Sequence, residues 1–288
     1  MVLESLTTPI KAEKRPWDLL FIGIIYAAVG LFLAIWVFRE EASIVMVLLT
    51  VIACIPLIYN TIKYEEEKDT VILKERTLLK EHGKALSFFV FLFIGFVIAF
   101  SLAYIFLPTS LVEIVFRTQT TTIQNINSQV SGKAIDAQAS GSSALWLQIF
   151  MNNVKVLLFC IFFAFFYGAG SIFILAWNAS VISAAIGSFF REHISVYAGQ
   201  LGLVKTAGYF HIYSLSLFRY FLHGIPEILA YFIGGLAGGI ISVAVIKHEF
   251  GTQVFKRILF DSTNLVLIAV IVLVVAASLE VYVTPLFF

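Results

Sequence analysis

The sequence predicts an all-α fold, a polytopic bundle of about seven transmembrane helices with one amphipathic helix and one polar region outside the membrane. Of the 288 residues, 60% are hydrophobic and only 13% are charged, and the mean hydropathy is +0.96. A soluble protein is on average about half apolar and a quarter charged. The apolar residues also fall into separate runs of roughly 20, the length that crosses a bilayer as a helix. Lipid is therefore the expected surroundings of most of the chain.

Charge, cysteine content and motifs exclude several function classes. The 19 Lys and Arg against 18 Asp and Glu give a net charge of +1, which provides no basic surface for nucleic acid. Cys54 and Cys160 lie in apolar runs and are interpreted as small core residues, not as a disulfide. The sequence contains no His-Glu-x-x-His, Gly-x-Ser-x-Gly, Walker or Cys-x-x-Cys motif. We therefore predict that the protein is not an enzyme and uses no metal or cofactor.

Five apolar runs are each long enough for one span, and a sixth run is ambiguous. The five are 17–38, 43–62, 86–107, 223–246 and 263–284. The sixth, 154–190, is too long for one span and barely long enough for two. Its only glycine-containing stretch that would permit a tight reversal is 167–171. The count is seven, or six if 154–190 is a single broken span.

Positive charge predicts a cytoplasmic amino terminus, because Lys and Arg concentrate in the segments that stay inside. Three basic residues precede the first span and six occupy 63–85. Further along the chain the rule gives a tie of three against three. Two spans in 154–190 place Lys247, Lys256 and Arg257 inside, whereas one span places Arg191, Lys205 and Arg219 there.

The segment 63–85 is predicted to be an amphipathic cytoplasmic helix that ends near His82-Gly83. Its apolar residues recur at spacings of six to eight, and Gly83 can form a left-handed carboxyl-terminal cap. Such a helix would lie on the headgroups, continue the second span, or present a docking face to a partner. Residues 1–85 thus contain two predicted spans and this helix, and form the amino-terminal unit of the chain.

Residues 108–150 are predicted to be the large external region. Pro108 ends the third span, and Thr and Ser residues with a Gly/Ser-rich stretch at 139–143 follow it. About 40 residues without a cysteine are too few for an independent domain. We expect helices that pack on the bundle or on a neighbouring subunit. For 191–222 an external loop, an interfacial helix and a re-entrant segment all remain open.

The few polar residues inside the apolar runs are the candidate functional residues. His223 and Glu227 are four residues apart and so share a helical face, Glu280 lies near the end of the last span, and Asn178 lies in the fifth run. These four could form a proton-responsive or ion-lining cluster. Alternatively, the Glu227 carboxylate interacts favourably with the positive amino-terminal end of its helix dipole, and Asn178 makes an interhelical hydrogen bond.

Other residues are predicted to begin or pack helices. Asn152 and Asn153 are interpreted as amino-terminal caps of the fourth run, and Pro226 as a first-turn residue of the sixth span. Four glycines in the sixth span are spaced to let another helix approach closely, either from the same chain or from a second copy. These are Gly234, Gly235, Gly238 and Gly239.

Taken together, several of these residues resemble a known family. Asn152-Asn153, Asn178, the stretch 223–227 before a glycine-rich span, and the stretch 280–285 are similar to the stage II sporulation protein M family over about 86–288. Ala179 departs from the family pattern, which more often has Gly there. The resemblance implies a multi-pass cell-membrane protein with a five-span core over this region and an external carboxyl terminus, and therefore seven spans. In spore-forming bacteria the family member is a membrane scaffold for cell-wall hydrolases.

Two main hypotheses follow for the function. The first is a non-catalytic, self-associating scaffold whose partners are the lipid bilayer, further copies of the chain and other membrane or envelope proteins. The second is a transporter, channel or lipid-handling protein that uses the intramembrane polar residues. A third, an intramembrane hydrolase, requires a further ligand or nucleophile beside His223.

Overall fold

The structure, a computed structural model, describes residues 8–72, 74–125, 142–167, 170–194, 202–247 and 251–286. Besides the helical residues 117–125, the chain forms nine α-helices in these residues, which we number in chain order. They are α1 Pro9–Lys14, α2 Asp18–Val37, α3 Ala42–Val71, α4 Glu75–Phe106, α5 Thr109–Val115, α6 Ser142–Tyr167, α7 Ser171–His193, α8 Gly202–Ile246 and α9 Gln253–Ser278. A π-helical turn, Leu279–Val283, extends α9.

Seven of these helices are long and apolar enough to cross a membrane, which confirms the predicted all-α polytopic bundle. The ambiguous run 154–190 contributes two of them, α6 and α7. The predicted reversal therefore lies between Tyr167 and Gly170, although residues 168–169 fall outside the described part of the chain. The prediction of seven spans, not six, is confirmed.

The segment 63–85 continues the second span as far as Val71, which was one of the alternatives, but it does not form one helix that ends near His82-Gly83. Helix α3 continues without a break to Val71, and α4 begins at Glu75 and passes through His82 and Gly83. Gly83 is helical and does not adopt the left-handed conformation that a carboxyl-terminal cap needs. Both helices extend beyond the length of one span because their charged residues are buried against each other, as described below.

The described part of the external region packs on the bundle. After α5, residues 117–125 are also helical. The hydroxyls of Thr118 and Ser43 lie 2.5 Å apart, and the Gln119 amide donates to the Ser43 carbonyl at 2.9 Å. Residues 126–141 lie outside the description. Helix α6 already begins at Ser142, so the prediction that Asn152 and Asn153 cap it is wrong. The expected start is ten residues late because Asn152 and Asn153 interrupt an apolar stretch that already begins at Ala144.

Helix α8 is 45 residues long and contains Pro226 in its interior, so the prediction that Pro226 begins a helix is also wrong. Proline removes one backbone donor, but membrane helices tolerate this loss where neighbouring helices support them. The first half of α8 includes residues 202–222 and packs on α4 and α7. The hydroxyls of Tyr213 and Ser101 are 2.9 Å apart, and Tyr213 meets the ring of Phe190 edge-on.

The second half of α8 forms the centre of the bundle, and 83% of its most apolar stretch is buried. A Cβ atom built on Gly238 would lie 2.5 Å from the Ile161 carbonyl oxygen of α6, and Gly234 meets Leu157 of the same helix. On the other side, a Cβ on Gly235 would lie 2.7 Å from the Ser171 hydroxyl, and one on Gly239 would lie 2.8 Å from Ile62. All four glycines therefore pack against helices of their own chain.

Candidate functional site

A set of polar residues lies inside the bundle where α6, α8 and the π turn after α9 meet. The Asn153 amide donates to the carboxylate of Glu227, and its carbonyl oxygen accepts a hydrogen bond of 2.9 Å from the Tyr231 hydroxyl. Glu280 lies close enough to Glu227 for the two carboxyl groups to interact electrostatically. We call Asn153, Glu227, Tyr231 and Glu280 the membrane carboxyl cluster.

Local helix geometry places each member of the membrane carboxyl cluster. Glu227 and Tyr231 are four residues apart on α8 and so lie on one face. Glu280 is part of the π turn Leu279–Val283, a kind of helical irregularity that is frequent at functional sites. An isolated carboxylate would be costly in an apolar bundle, and the hydrogen bond from Asn153 offsets part of the cost of burying Glu227.

Of the four residues predicted to form an intramembrane polar cluster, the structure brings Glu227 and Glu280 together. Asn178 does not join them, because its amide donates to the Ile174 carbonyl of its own helix at 2.7 Å. The backbone of His223 lies in α8, but its side chain is outside the described residues. Asn153 belongs to the cluster instead of capping a helix, and the neighbouring Asn152 is exposed.

A second buried polar group, which the sequence reasoning missed, lies at the end of the bundle that carries α1. Lys68 donates to both carboxylate oxygens of Glu13 at 2.8 and 2.9 Å and to Glu65 at 2.7 Å. His82 Nδ1 lies 2.8 Å from Glu65, and His82 Nε2 lies 3.1 Å from Asp69. We call Glu13, Glu65, Lys68, Asp69 and His82 the buried ion cluster.

The buried ion cluster connects helices that are distant in the sequence. It joins α1, α3 and α4, and beside it Glu66 of α3 forms an ion pair with Lys247, which follows α8 directly. Glu65 and Glu66 are both fully buried. The sequence analysis placed these charges on an amphipathic helix over 63–85 and did not single them out as buried. The sequence did contain a pattern that could have indicated these pairs. Residues of opposite charge are spaced three or four apart, which places them on one helical face.

Burial changes the proton affinity of Glu13, which lies in α1 before the first span. Desolvation and the neighbouring Glu65 raise the pKa of Glu13 to about 7, although Lys68 acts in the opposite direction. A buried ion pair is stable only when each charge keeps its partners. The described residues contain no group of three or more His, Cys, Asp and Glu side chains arranged to hold a metal ion.

Comparison with known proteins gives one match. The sequence model of the family Stage II sporulation protein M matches residues 85–285, which is more than two thirds of the chain. The matched region contains the whole membrane carboxyl cluster and none of the buried ion cluster. Searches of curated proteins and of solved structures find no match. On the strength of the family match, the chain belongs to the stage II sporulation protein M family.

Proposed function

We propose that this multi-pass membrane protein is a non-catalytic scaffold that associates with further copies of itself and with other membrane or envelope proteins. The observation that supports this best is that the polar groups within the bundle bind one another. Asn153 joins Glu227 to Tyr231, and Glu280 meets Glu227. Such a network of polar interactions connects α6, α8 and the end of α9, as expected of a rigid scaffold.

The packing of α8 supports the same proposal and indicates which surface would associate. Its glycines are covered by α3, α6 and α7 of the same chain, so they are not available to a second copy. By contrast, only 22% of the most apolar stretch of α6 is buried, and the same holds for the span that begins with α9. The outward face of α6 is rich in aromatic side chains, namely Phe159, Phe162, Phe163 and Phe166. We assign self-association to this face.

The proposed orientation places the amino terminus in the cytoplasm and the carboxyl terminus outside the cell membrane. With seven spans, Lys247, Lys256 and Arg257 lie at the same end as the basic residues before α2 and between α3 and α4. These basic segments then favour the cytoplasmic side, whereas Arg191, Lys205 and Arg219 lie towards the other side. An external carboxyl terminus is compatible with envelope partners, in keeping with the family's association with cell-wall hydrolases.

Cysteine crosslinking in native membranes tests the scaffold proposal. Cys54 and Cys160 are both buried and can be replaced by alanine to give a background without cysteine. On this background Phe163→Cys, on the outward face of α6, is expected to yield a disulfide-linked dimer after oxidation. Val243→Cys, whose side chain is 5% exposed inside the bundle, is the matched control and should not crosslink. A monomer at every outward position of α6 and α9 would contradict self-association.

A second candidate function is proton-coupled transport, and one observation favours it. Two carboxyl groups lie close together inside the bundle, Glu227 next to Pro226 within α8 and Glu280 on a π turn. Discontinuities of this kind are typical of transporter sites. If the protein transports protons, Glu227→Gln abolishes a proton flux in proteoliposomes, whereas Asn178→Ala, outside the cluster, preserves it. A scaffold shows no flux before or after either substitution.

A further inference from the structure

A cavity of about 430 Å³ lies between the first turns of α4 and the middle of α9, and none of its lining residues belongs to the membrane carboxyl cluster. Arg76 and Leu79 line it from α4, and Asn264, Leu267 and Ile268 line it from α9. Its volume is within the range of roughly 300–1,000 Å³ that is usual for small-molecule sites. The proposed scaffold function does not use this cavity.

The cavity crosses the boundary between the headgroups and the hydrocarbon layer. The apolar run of α4 begins only at residue 86, so Arg76 and Leu79 lie before it. On α9 the apolar run begins at 263, so Leu267 and Ile268 lie within it. One wall therefore faces the headgroup region and the other faces the acyl chains.

The charged residues at the inner end of the cavity are engaged with other groups of the protein. His82 lies 2.8 Å from Glu65 and 3.1 Å from Asp69. Asp261 lies 3.8 Å from Arg257. Most of the remaining lining is leucine and isoleucine. This inner part suits an apolar chain better than a further ion.

The mouth of the cavity is basic. Arg76 and Lys80 are four residues apart on α4, and both are exposed. An open hollow of about 640 Å³ adjoins the cavity through Arg76 and Leu79 and adds Lys80 to its lining. Among the described side chains, neither basic residue forms an ion pair or a hydrogen bond. The acidic residue at this rim, Glu81, is already paired with Lys84 at 2.6 Å and lies 3.7 Å from Lys68.

We propose that this cavity binds one anionic phospholipid. Its phosphate lies between Arg76 and Lys80, and one acyl chain follows Leu79, Leu267 and Ile268. Basic residues at the membrane surface attract anionic headgroups, and basic pockets between helices bind them specifically. A free phosphate would leave the apolar wall uncovered, and a lipid without net charge would leave the pair of cations without a full counter-charge.

Native mass spectrometry of the full-length protein tests this proposal after its lipids have been exchanged for detergent. Phosphatidylglycerol, phosphatidylcholine and glycerol phosphate are titrated separately. We expect one saturable phosphatidylglycerol adduct per chain, with clearly weaker binding of phosphatidylcholine and none of glycerol phosphate. Equal binding of the two lipids would overturn the headgroup assignment. Binding of glycerol phosphate at the same concentration would overturn the lipid assignment in favour of a soluble phosphate.

Two kinds of variant locate the site. The double variant Arg76→Gln/Lys80→Gln is expected to weaken phosphatidylglycerol binding roughly 25-fold, about fivefold for each charge. Lys63→Gln/Lys256→Gln is the matched control, because it removes two exposed lysines from the same end without touching the cavity lining. All four side chains are exposed, so the fold should survive in both variants. An equal loss in the control would show general surface attraction and overturn the proposal.

The apolar wall is tested by filling it. Leu79→Trp places a larger side chain at a residue shared by the cavity and the hollow. This variant is expected to lose the lipid adduct, whereas Leu158→Trp, at an exposed residue of α6, retains it. Retention of the adduct by Leu79→Trp would show that the acyl chain does not occupy the cavity. Because the scaffold proposal is tested by crosslinking on α6, failure of either proposal leaves the other intact.

Discussion

The membrane carboxyl cluster and the buried ion cluster place polar side chains inside the same apolar bundle in different ways. In the first, the Asn153 amide is hydrogen-bonded to the Glu227 carboxyl group and to the Tyr231 hydroxyl. In the second, full charges of both signs meet, with Lys68 between Glu13 and Glu65. The first lies within the family-matched residues 85–285, and the second lies before them.

The difference suggests what each cluster contributes. The membrane carboxyl cluster connects helices of the family core with one another. The buried ion cluster connects α1 and α3, which precede the core, with the start of α4, and the neighbouring pair of Glu66 and Lys247 spans 181 residues of sequence. Charge pairing thus fixes the amino-terminal helices to the core at one end of the bundle. The experiments below test whether the two clusters differ in this way.

The largest effect is expected for Lys68→Met, which leaves Glu13 and Glu65 buried without their cation. Loss of one partner of a buried ion pair typically lowers the free energy of unfolding by about 3–5 kcal/mol. Thermal unfolding in detergent measures the change. Lys63→Met, at an exposed residue of the same helix, is the control and should change stability little. Equal effects of the two substitutions would show that the buried ion cluster does not hold the helices together.

A smaller loss is expected for Gly238→Ala in the centre of the bundle. The new methyl group would lie 2.5 Å from the Ile161 carbonyl oxygen, so α6 and α8 would have to separate. Overpacking of this kind costs about 1–3 kcal/mol. Gly83→Ala is the matched control, because no described atom lies within 4 Å of its Cβ position. That control should stabilise the helix by roughly 0.5–1 kcal/mol.

In the membrane carboxyl cluster, Asn153→Leu is expected to lower the free energy of unfolding by about 1–3 kcal/mol. This substitution removes the donor to Glu227 and the acceptor for Tyr231, and unsatisfied buried polar groups carry that penalty. By contrast, Glu227→Gln keeps an acceptor for Asn153, so we expect a change below about 1 kcal/mol. If Glu227→Gln lowers the free energy of unfolding as much as Lys68→Met does, the two clusters do not differ in the way proposed.

The smallest effect is a pH dependence that arises from Glu13. Its pKa is raised from 4.5 to about 7 by burial and by Glu65, so the folded protein holds this proton more tightly than the unfolded chain does. The resulting stabilisation is complete below about pH 4.5 and is lost as the pH rises to about 7. We expect the unfolding temperature to fall by a few degrees over this range. In the Glu13→Gln variant this part of the pH dependence should be absent. If the unfolding temperature of the variant depends on pH as before, the dependence arises from another titratable side chain.

The difference between predicted and observed site residues has a physical cause. Glu227 and Glu280 stood out in the sequence because charged residues are rare in apolar runs. Asn178 stood out for the same reason, yet it bonds to its own helix, because an amide can satisfy itself locally. Asn153 was assigned to a helix end because two adjacent asparagines precede an apolar run and resemble a helix cap. Glu65 was not singled out, because the charged segment 63–85 was expected to lie outside the membrane.

The sequence alone determined the fold class, the seven spans and the family core, because a bilayer imposes length and apolar composition on each span separately. These are local properties, readable from consecutive residues. Only the tertiary structure decided where α3, α6 and α8 end or begin, which chain covers the glycines of α8, and which charges are buried. Those outcomes depend on partners far apart in the chain, such as Glu13 and Lys68, which are 55 residues apart. Helical periodicity carries no information about such pairs until the helices are packed together.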